Sequence, residues 1–135
     1  MNKTTSFGFV LAVTGVTTIG DGVTVVTGSG VGAGVAVGVI ISDTFGRPWR
    51  DGLVDVAIGV AGMEALRDYR DLPDTEGRIM KVTAVAVADE IASAAELVMG
   101  KLDRVPVALV RGFAYTAGDG GVGALIRPPE KDLFR

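Results

Sequence analysis

The apolar run Val35 to Ile41 (VAVGVII) delivers Ser42, Asp43 and Thr44 straight into a cationic turn that holds Gly46, Arg47, Pro48 and Arg50. Its β-branched content reads as a buried strand, and Gly46 and Pro48 stop that strand from continuing. The three polar residues are therefore expected at a strand end, where an open α/β sheet holds its ligands. A carboxylate beside a hydroxyl suits a hard, oxygen-seeking cation such as Mg²⁺ or Mn²⁺, and Arg47 and Arg50 suit the phosphates such a cation bridges. The same spacing also fits a strand end closed by an Asx-turn and followed by a solvated basic loop. Spacing alone leaves both readings open.

Composition narrows the chemistry. The 135 residues suit one domain, and 48% hydrophobic with 21% charged residues suits a globular chain. A net charge of −3 argues against a nucleic-acid surface, because phosphate backbones reward clustered Lys and Arg. With no cysteine and no histidine, disulfides, thiolate zinc sites and the commonest neutral-pH base are all absent. Any metal must be held by oxygen. The expected setting is a reducing cytoplasm.

The first forty-one residues differ from the rest: only Lys3 and Asp21 are charged there, and nine glycines interrupt a Val- and Thr-rich background. Such a stretch makes a poor helix and holds no uninterrupted apolar run near the roughly 20 residues that a membrane span needs. The apolar stretch Phe7 to Val13 is short for a signal peptide and lacks a clear cleavage site. Short strands near Phe7 to Val13, Val23 to Thr27 and Val35 to Ile41 are expected, with glycine turns such as Gly20-Asp21-Gly22 between them. The GxGxxG pattern within Gly28 to Gly34 lacks a strand-to-helix setting and reads as a turn. Two regions follow: residues 1–34, an atypical Gly/Val/Thr-rich segment of short strands, and residues 35–135.

Beyond the central motif, Leu53 to Leu66 (LVDVAIGVAGMEAL) reads as a mostly buried helix, with Asp51 or Asp55 near its start and Gly59 and Gly62 weakening it. Arg67 to Arg78 reads as a charged loop. Thr83 to Leu102 carries the strongest helical periodicity: Ile91, Ala95, Val98 and Leu102 form one stripe, and Asp89, Ser93 and Glu96 form a polar face. About 10 Å separates Asp89 from Glu96 along such a helix, too far to share one ion. Val105 to Val110 is a second buried-strand candidate, leading into the glycine-rich loop Ala117 to Gly123. Pro128 and Pro129 stiffen the tail.

Three separated blocks, ISDTFGRPWRDGLVDVAIGVAG, VADEIASAAELVMGKLDRVPVALVRG and LIRPPEKDLFR, together resemble the C-terminal half of the coenzyme F-420:L-glutamate ligase family from about Val37 to Arg135. The resemblance implies a mixed α/β fold, the C-terminal portion of an F-420 ligase-like architecture. It also implies GTP-dependent amide-bond formation: the terminal carboxylate of a deazaflavin coenzyme precursor is activated, the amine of L-glutamate displaces phosphate, and a divalent metal, Mg²⁺ or Mn²⁺, assists. The family's metal-binding Asp-Thr pair corresponds to Asp43 and Thr44, and its nucleotide contacts fall around Met99, Gly100 and Lys101. Lys101 is equally readable as an ordinary lysine near a helix C-terminus. Arg47 and Arg50 join the nucleotide candidates by chemistry and neighbourhood, and Trp49 reads as a packing residue. No catalytic residue is assigned.

The implied partners are GTP, L-glutamate and the deazaflavin precursor, with a homodimer expected from the family's habit and from uncovered apolar surface, and with no membrane or nucleic-acid partner. In the family a comparable N-terminal portion supplies another metal-binding acid and further GTP contacts, and residues 1–34 match none of it. The isolated chain is therefore expected to ligate glutamate weakly or not at all. The alternative is a non-catalytic α/β module that keeps the metal and nucleotide pocket.

Overall fold

A computed structural model describes residues 8–13, 37–119 and 121–132. Four strands form the principal sheet: β1 (Gly8–Val13), β2 (Val37–Gly46), β3 (Leu53–Ala61) and β6 (Val107–Arg111), in the order β3-β2-β1-β6. β2 runs antiparallel to both β1 and β3, while β6 lies parallel to β1. The expectation of a mixed α/β fold holds. The candidate ligand-bearing strand β2 is antiparallel to both neighbours and returns directly into β3 through the Gly46–Gly52 turn as a hairpin. β4 (Arg67–Asp68) and β5 (Ala84–Val85) make a small second sheet. The strand expected near Val23 to Thr27, the turn at Gly20 to Gly22 and the Gly28 to Gly34 segment lie outside the described residues.

Residues 53–61 correct the helix expected over Leu53 to Leu66. They form β3, with Val54, Val56, Ile58 and Val60 alternating with Asp55, Ala57 and Gly59. β-branched residues at every second position favour a pleated strand over a helix, where they crowd the preceding turn. A bulge between Ile41 and Ser42 shifts the pairing, so that Ser42 faces Ala57 and Thr44 faces Asp55. β3 ends at Gly62, whose φ of +74° puts it in the left-handed region, and a Cβ there would lie 2.6 Å from the Val37 carbonyl oxygen.

Among the described residues one long helix, α1 (Val87–Met99), packs across β3, β1, β2 and β6. Ala88, Ala92 and Ala95 bring its backbone close to the sheet, and Ile91 and Met99 fill the remaining space around Ile40, Met63 and Ala65. Asp89 and Glu90 complement the positive end of the helix. Gly100, at φ +60°, ends it and donates its N–H to the Glu96 carbonyl at 2.8 Å. This corrects the apolar stripe. Ile91 and Ala95 are in the core as expected, but Val98 is exposed and Leu102, 91% exposed, lies beyond the helix; Ala88, Ala92 and Met99 take their place. The strand expected over Val105 to Val110 appears as β6, but not as a buried one, since Ala108 is its one buried residue and Val107 and Leu109 are exposed; the proline tail carries a 3₁₀ turn at Pro129–Lys131.

Candidate functional site

β3 is an edge strand, so one row of its backbone groups faces away from β2 and needs partners. The polar stripe of α1 supplies them. Asp89 accepts the Ala57 N–H at 2.9 Å, Glu96 accepts the Asp55 N–H at 3.0 Å, and Ser93 donates its hydroxyl to the Asp55 carbonyl at 2.8 Å. The stripe therefore lies against the sheet, correcting the polar face expected from periodicity. Its residues repeat at helical spacing and β3 repeats at strand spacing, yet two carboxylates seven residues apart meet N–H groups two residues apart because their side chains converge on the strand.

Asp55 is the centre of the arrangement. Only 4% exposed, its carboxylate accepts the Ser42 hydroxyl at 3.1 Å, the Thr44 hydroxyl at 3.3 Å and the Lys101 ammonium at 3.0 Å. Lys101 also reaches the Glu96 carboxylate at 2.6 Å and the Thr44 hydroxyl oxygen at 2.8 Å. Burial pulls the Lys101 ammonium toward neutrality, but the hydrogen bonds and charges of Glu96 and Asp55 outweigh it and hold its pKa above the ordinary value. Among the described residues, no buried side-chain polar atom lacks a hydrogen-bond partner.

The sequence candidates separate in space. Thr44 and Lys101, 57 residues apart, come into hydrogen-bond contact. Asp43 does not join them: successive side chains on a strand point to opposite faces, and its carboxylate instead accepts the N–H of Thr44 at 2.8 Å. Arg47 folds back on its own turn, donating to the Asp51 carbonyl and, at 3.3 Å, to the Gly52 carbonyl. Arg50 is exposed in the same turn. Trp49, read as a packing residue, is 88% exposed at a φ of +61°, because the hairpin tip projects from the sheet. Met99 is buried in the core, Gly100 is the helix end, and Lys101 is half-exposed.

A cleft of about 350 Å³ opens beside Lys101, lined by Gly100, Lys101, Arg104, Val105 and Pro106. Arg104 holds a positive φ of +56°, an unfavourable backbone for a side-chain-bearing residue, and adds a second cation to the cleft. Sequence reasoning missed Arg104. It also missed Asp55, placing it near a helix start, and read Glu96 only as part of a polar helix face; a carboxylate flanked by valines within a strand pattern was the available signal. A separate cleft of about 290 Å³ between α1 and β6 is largely apolar, with Arg67 lying 5.6 Å over the Phe113 ring.

No group of three or more acidic residues converges as a metal cage among the described residues. What the site offers a hard cation is the Asp43 carboxylate on one face of β2 and the Thr44 hydroxyl on the other. One ion cannot reach both, so the pair does not fit as a shared ligand set; a magnesium-like ion bound mainly by substrate phosphates and water needs only one such protein ligand, and the Asp43 carboxylate suits that.

Comparison with known proteins accounts for this hairpin, helix and glycine-lysine corner. The profile of the F420-0:gamma-glutamyl ligase family matches residues 31–112. The coenzyme F420:L-glutamate ligase of Methanothermobacter thermautotrophicus is 50% identical over 105 residues, covering 76% of this chain and 42% of that protein. The enzymes of the same name from Methanocaldococcus jannaschii and Haloarcula marismortui are 52% and 49% identical over 103 and 105 residues, covering 76% of this chain in both cases and 41% and 40% of the respective relatives. The chain thus spans about two fifths of the length of these curated relatives. With the matched residues holding β2, β3, α1 and the Lys101 corner together, the chain belongs to the F420-0:gamma-glutamyl ligase family.

Proposed function

We propose that this chain serves the GTP-dependent addition of L-glutamate to a deazaflavin coenzyme F-420 precursor, releasing GDP and phosphate. The observation that carries this reading is the meeting of Thr44 with Lys101 beside a cleft that also holds Arg104. An anionic nucleotide fits such a corner, because the cationic side chains of Lys101 and Arg104 line one opening. The names of the relatives support glutamate ligation to coenzyme F420, and the two cations lining the cleft support a phosphate-bearing co-substrate.

In this reading Lys101 and Arg104 bind and orient the phosphates, while the Asp43 carboxylate would hold Mg²⁺ or Mn²⁺ together with phosphate oxygens and water; Thr44, on the opposite face of β2, would not share that ion. The cation, when bound, neutralises phosphate charge and polarises the phosphoryl group under attack. Arg47 is committed to its own turn, so its part is to shape the hairpin tip; Arg50 remains the exposed cation of that loop. No described helix is long and apolar enough to cross a membrane. A homodimer remains part of the proposal, favoured by exposed apolar side chains such as Phe45 and Leu53 at the hairpin.

Isothermal titration of GTP into this chain, with and without Mn²⁺, tests the binding half. The expected result is binding that requires Mn²⁺ and weakens roughly tenfold or more in Asp43→Asn, the scale seen when groups that support a metal are lost. Binding indifferent to both the ion and the substitution overturns the metal assignment. Mass spectrometry of the precursor incubated with GTP, Mn²⁺ and L-glutamate then separates a ligase, which adds a glutamyl residue, from a binding module, which does not.

A further inference from the structure

An ammonium has three N–H donors, and in this protein all three have acceptors: Asp55 at 3.0 Å, Glu96 at 2.6 Å and the Thr44 hydroxyl at 2.8 Å. The three acceptors are not equivalent. The two carboxylates make charge-assisted bonds and are themselves anchored, Asp55 by burial and the Ser42 and Thr44 hydroxyls, Glu96 by the Asp55 backbone N–H. Thr44 contributes a neutral oxygen, the weakest of the three bonds. Lys101 sits beyond the end of α1, after Gly100, and a lysine there has four rotatable side-chain bonds to restrict.

We propose that Asp55 and Glu96 are positioning residues for phosphate binding: they fix the Lys101 ammonium beside Thr44, so that a phosphate oxygen entering the cleft takes over the N–H now given to the Thr44 hydroxyl. This rests on the reading that Lys101 meets the nucleotide phosphates. Two anionic groups beside a phosphate site are unfavourable by charge alone, and their presence is explained by the order they impose on the cation. Bound in this way, Lys101 keeps two of its partners on nucleotide arrival and exchanges one, losing little further freedom.

The two accounts of Glu96 predict opposite signs. If it acts only as a nearby negative charge, Glu96→Gln tightens GTP binding; if it positions Lys101, Glu96→Gln weakens it, although glutamine still accepts the Asp55 N–H. The experiment is titration of GTP with Mn²⁺ against the chain, Glu96→Gln, Lys101→Met and the double variant, with melting curves to confirm folding. Lys101→Met is expected to weaken binding roughly tenfold or more, as a charge-assisted contact is lost. Glu96→Gln is expected to weaken it roughly five- to tenfold in the unmodified background and not at all in the Lys101→Met background, the signature of residues that act through each other.

Glu96→Asp, which keeps the charge but withdraws it from Lys101, gives the same pattern and serves where Glu96→Gln does not fold. Tighter binding in Glu96→Gln, or an equal loss in both backgrounds, overturns the positioning role while the reading of Lys101 stands. Unchanged affinity in Lys101→Met, or no GTP binding by the unmodified chain, overturns the reading of Lys101 and the positioning role with it.

Discussion

The polar stripe of α1 and the charged connection from Arg67 to Lys81 carry the same kinds of residue to different ends. In the connection, Asp68 pairs with Arg70, Glu76 with Arg78 at 2.8 Å, and Asp71 with Lys81 at 3.7 Å, and every partner is about half-exposed or more. Each of these pairs exchanges water for a partner that water nearly matches, so each contributes little. In the stripe, Asp89, Ser93 and Glu96 meet backbone groups of an edge strand, and Glu96 shares Lys101 with a carboxylate that is almost fully buried. There the partners replace water that cannot return. Charge count in sequence is therefore a poor guide to consequence; the position of a carboxylate relative to a strand edge decides it.

The comparison breaks most visibly at Asp55. Replacing it with alanine removes the acceptor of the fully buried Ser42 hydroxyl and one of the two carboxylates holding Lys101. The expected loss is about 3 kcal/mol in urea unfolding, the low end for a broken buried ion pair because Lys101 itself is half-exposed. A loss no larger than that of an ordinary surface substitution would show that the network contributes nothing to folding.

At the small end stands Asp68. The side-chain hydrogen bond from Arg70, helped by the Arg70 backbone N–H, holds its carboxyl down from 3.8 to about 2. A lowered folded-state pKa contributes stability that is present above 3.8 and is lost as pH falls toward 2. Because the pair is solvent-exposed, Asp68→Asn is expected to leave the melting temperature at pH 7 within measurement error. A clear drop would place this pair in the same class as the α1 stripe.

Much of the fold was legible from periodicity, and the limits are physical. β1, β2 and β6 announced themselves through runs of Val, Ile and Leu, and α1 through the helical spacing of Ile91 with Ala95 and of Asp89, Ser93 and Glu96, although its end at Gly100 fell short of the expected Leu102. β3 was misread because DVAIGVAG has enough small and apolar residues to satisfy a helical pattern, although its alternating β-branched residues favour the strand that pairing with β2 completes. Thr44 and Lys101 were both marked as site candidates, but no sequence spacing shows residues 57 apart touching. Asp43 was paired with Thr44 because they adjoin in sequence, and the pleat sends them to opposite faces. Asp55 was hidden by its neighbours: an acid among valines has no visible partner until Ser42, Thr44 and Lys101 converge on it.

The most direct test of the account follows the Lys101 ammonium itself by NMR titration of the lysine side chains, with its signal assigned by its disappearance in Lys101→Met. Glu96 and Asp55 raise its folded-state pKa above the ordinary 10.5, so it contributes stability that is complete below 10.5 and is lost as pH rises through the folded value. The account predicts a Lys101 midpoint above 10.5 that moves down in Glu96→Gln. A midpoint at or below 10.5 in the unmodified chain would mean that burial outweighs the two carboxylates, and would contradict the claim that they hold this lysine in place.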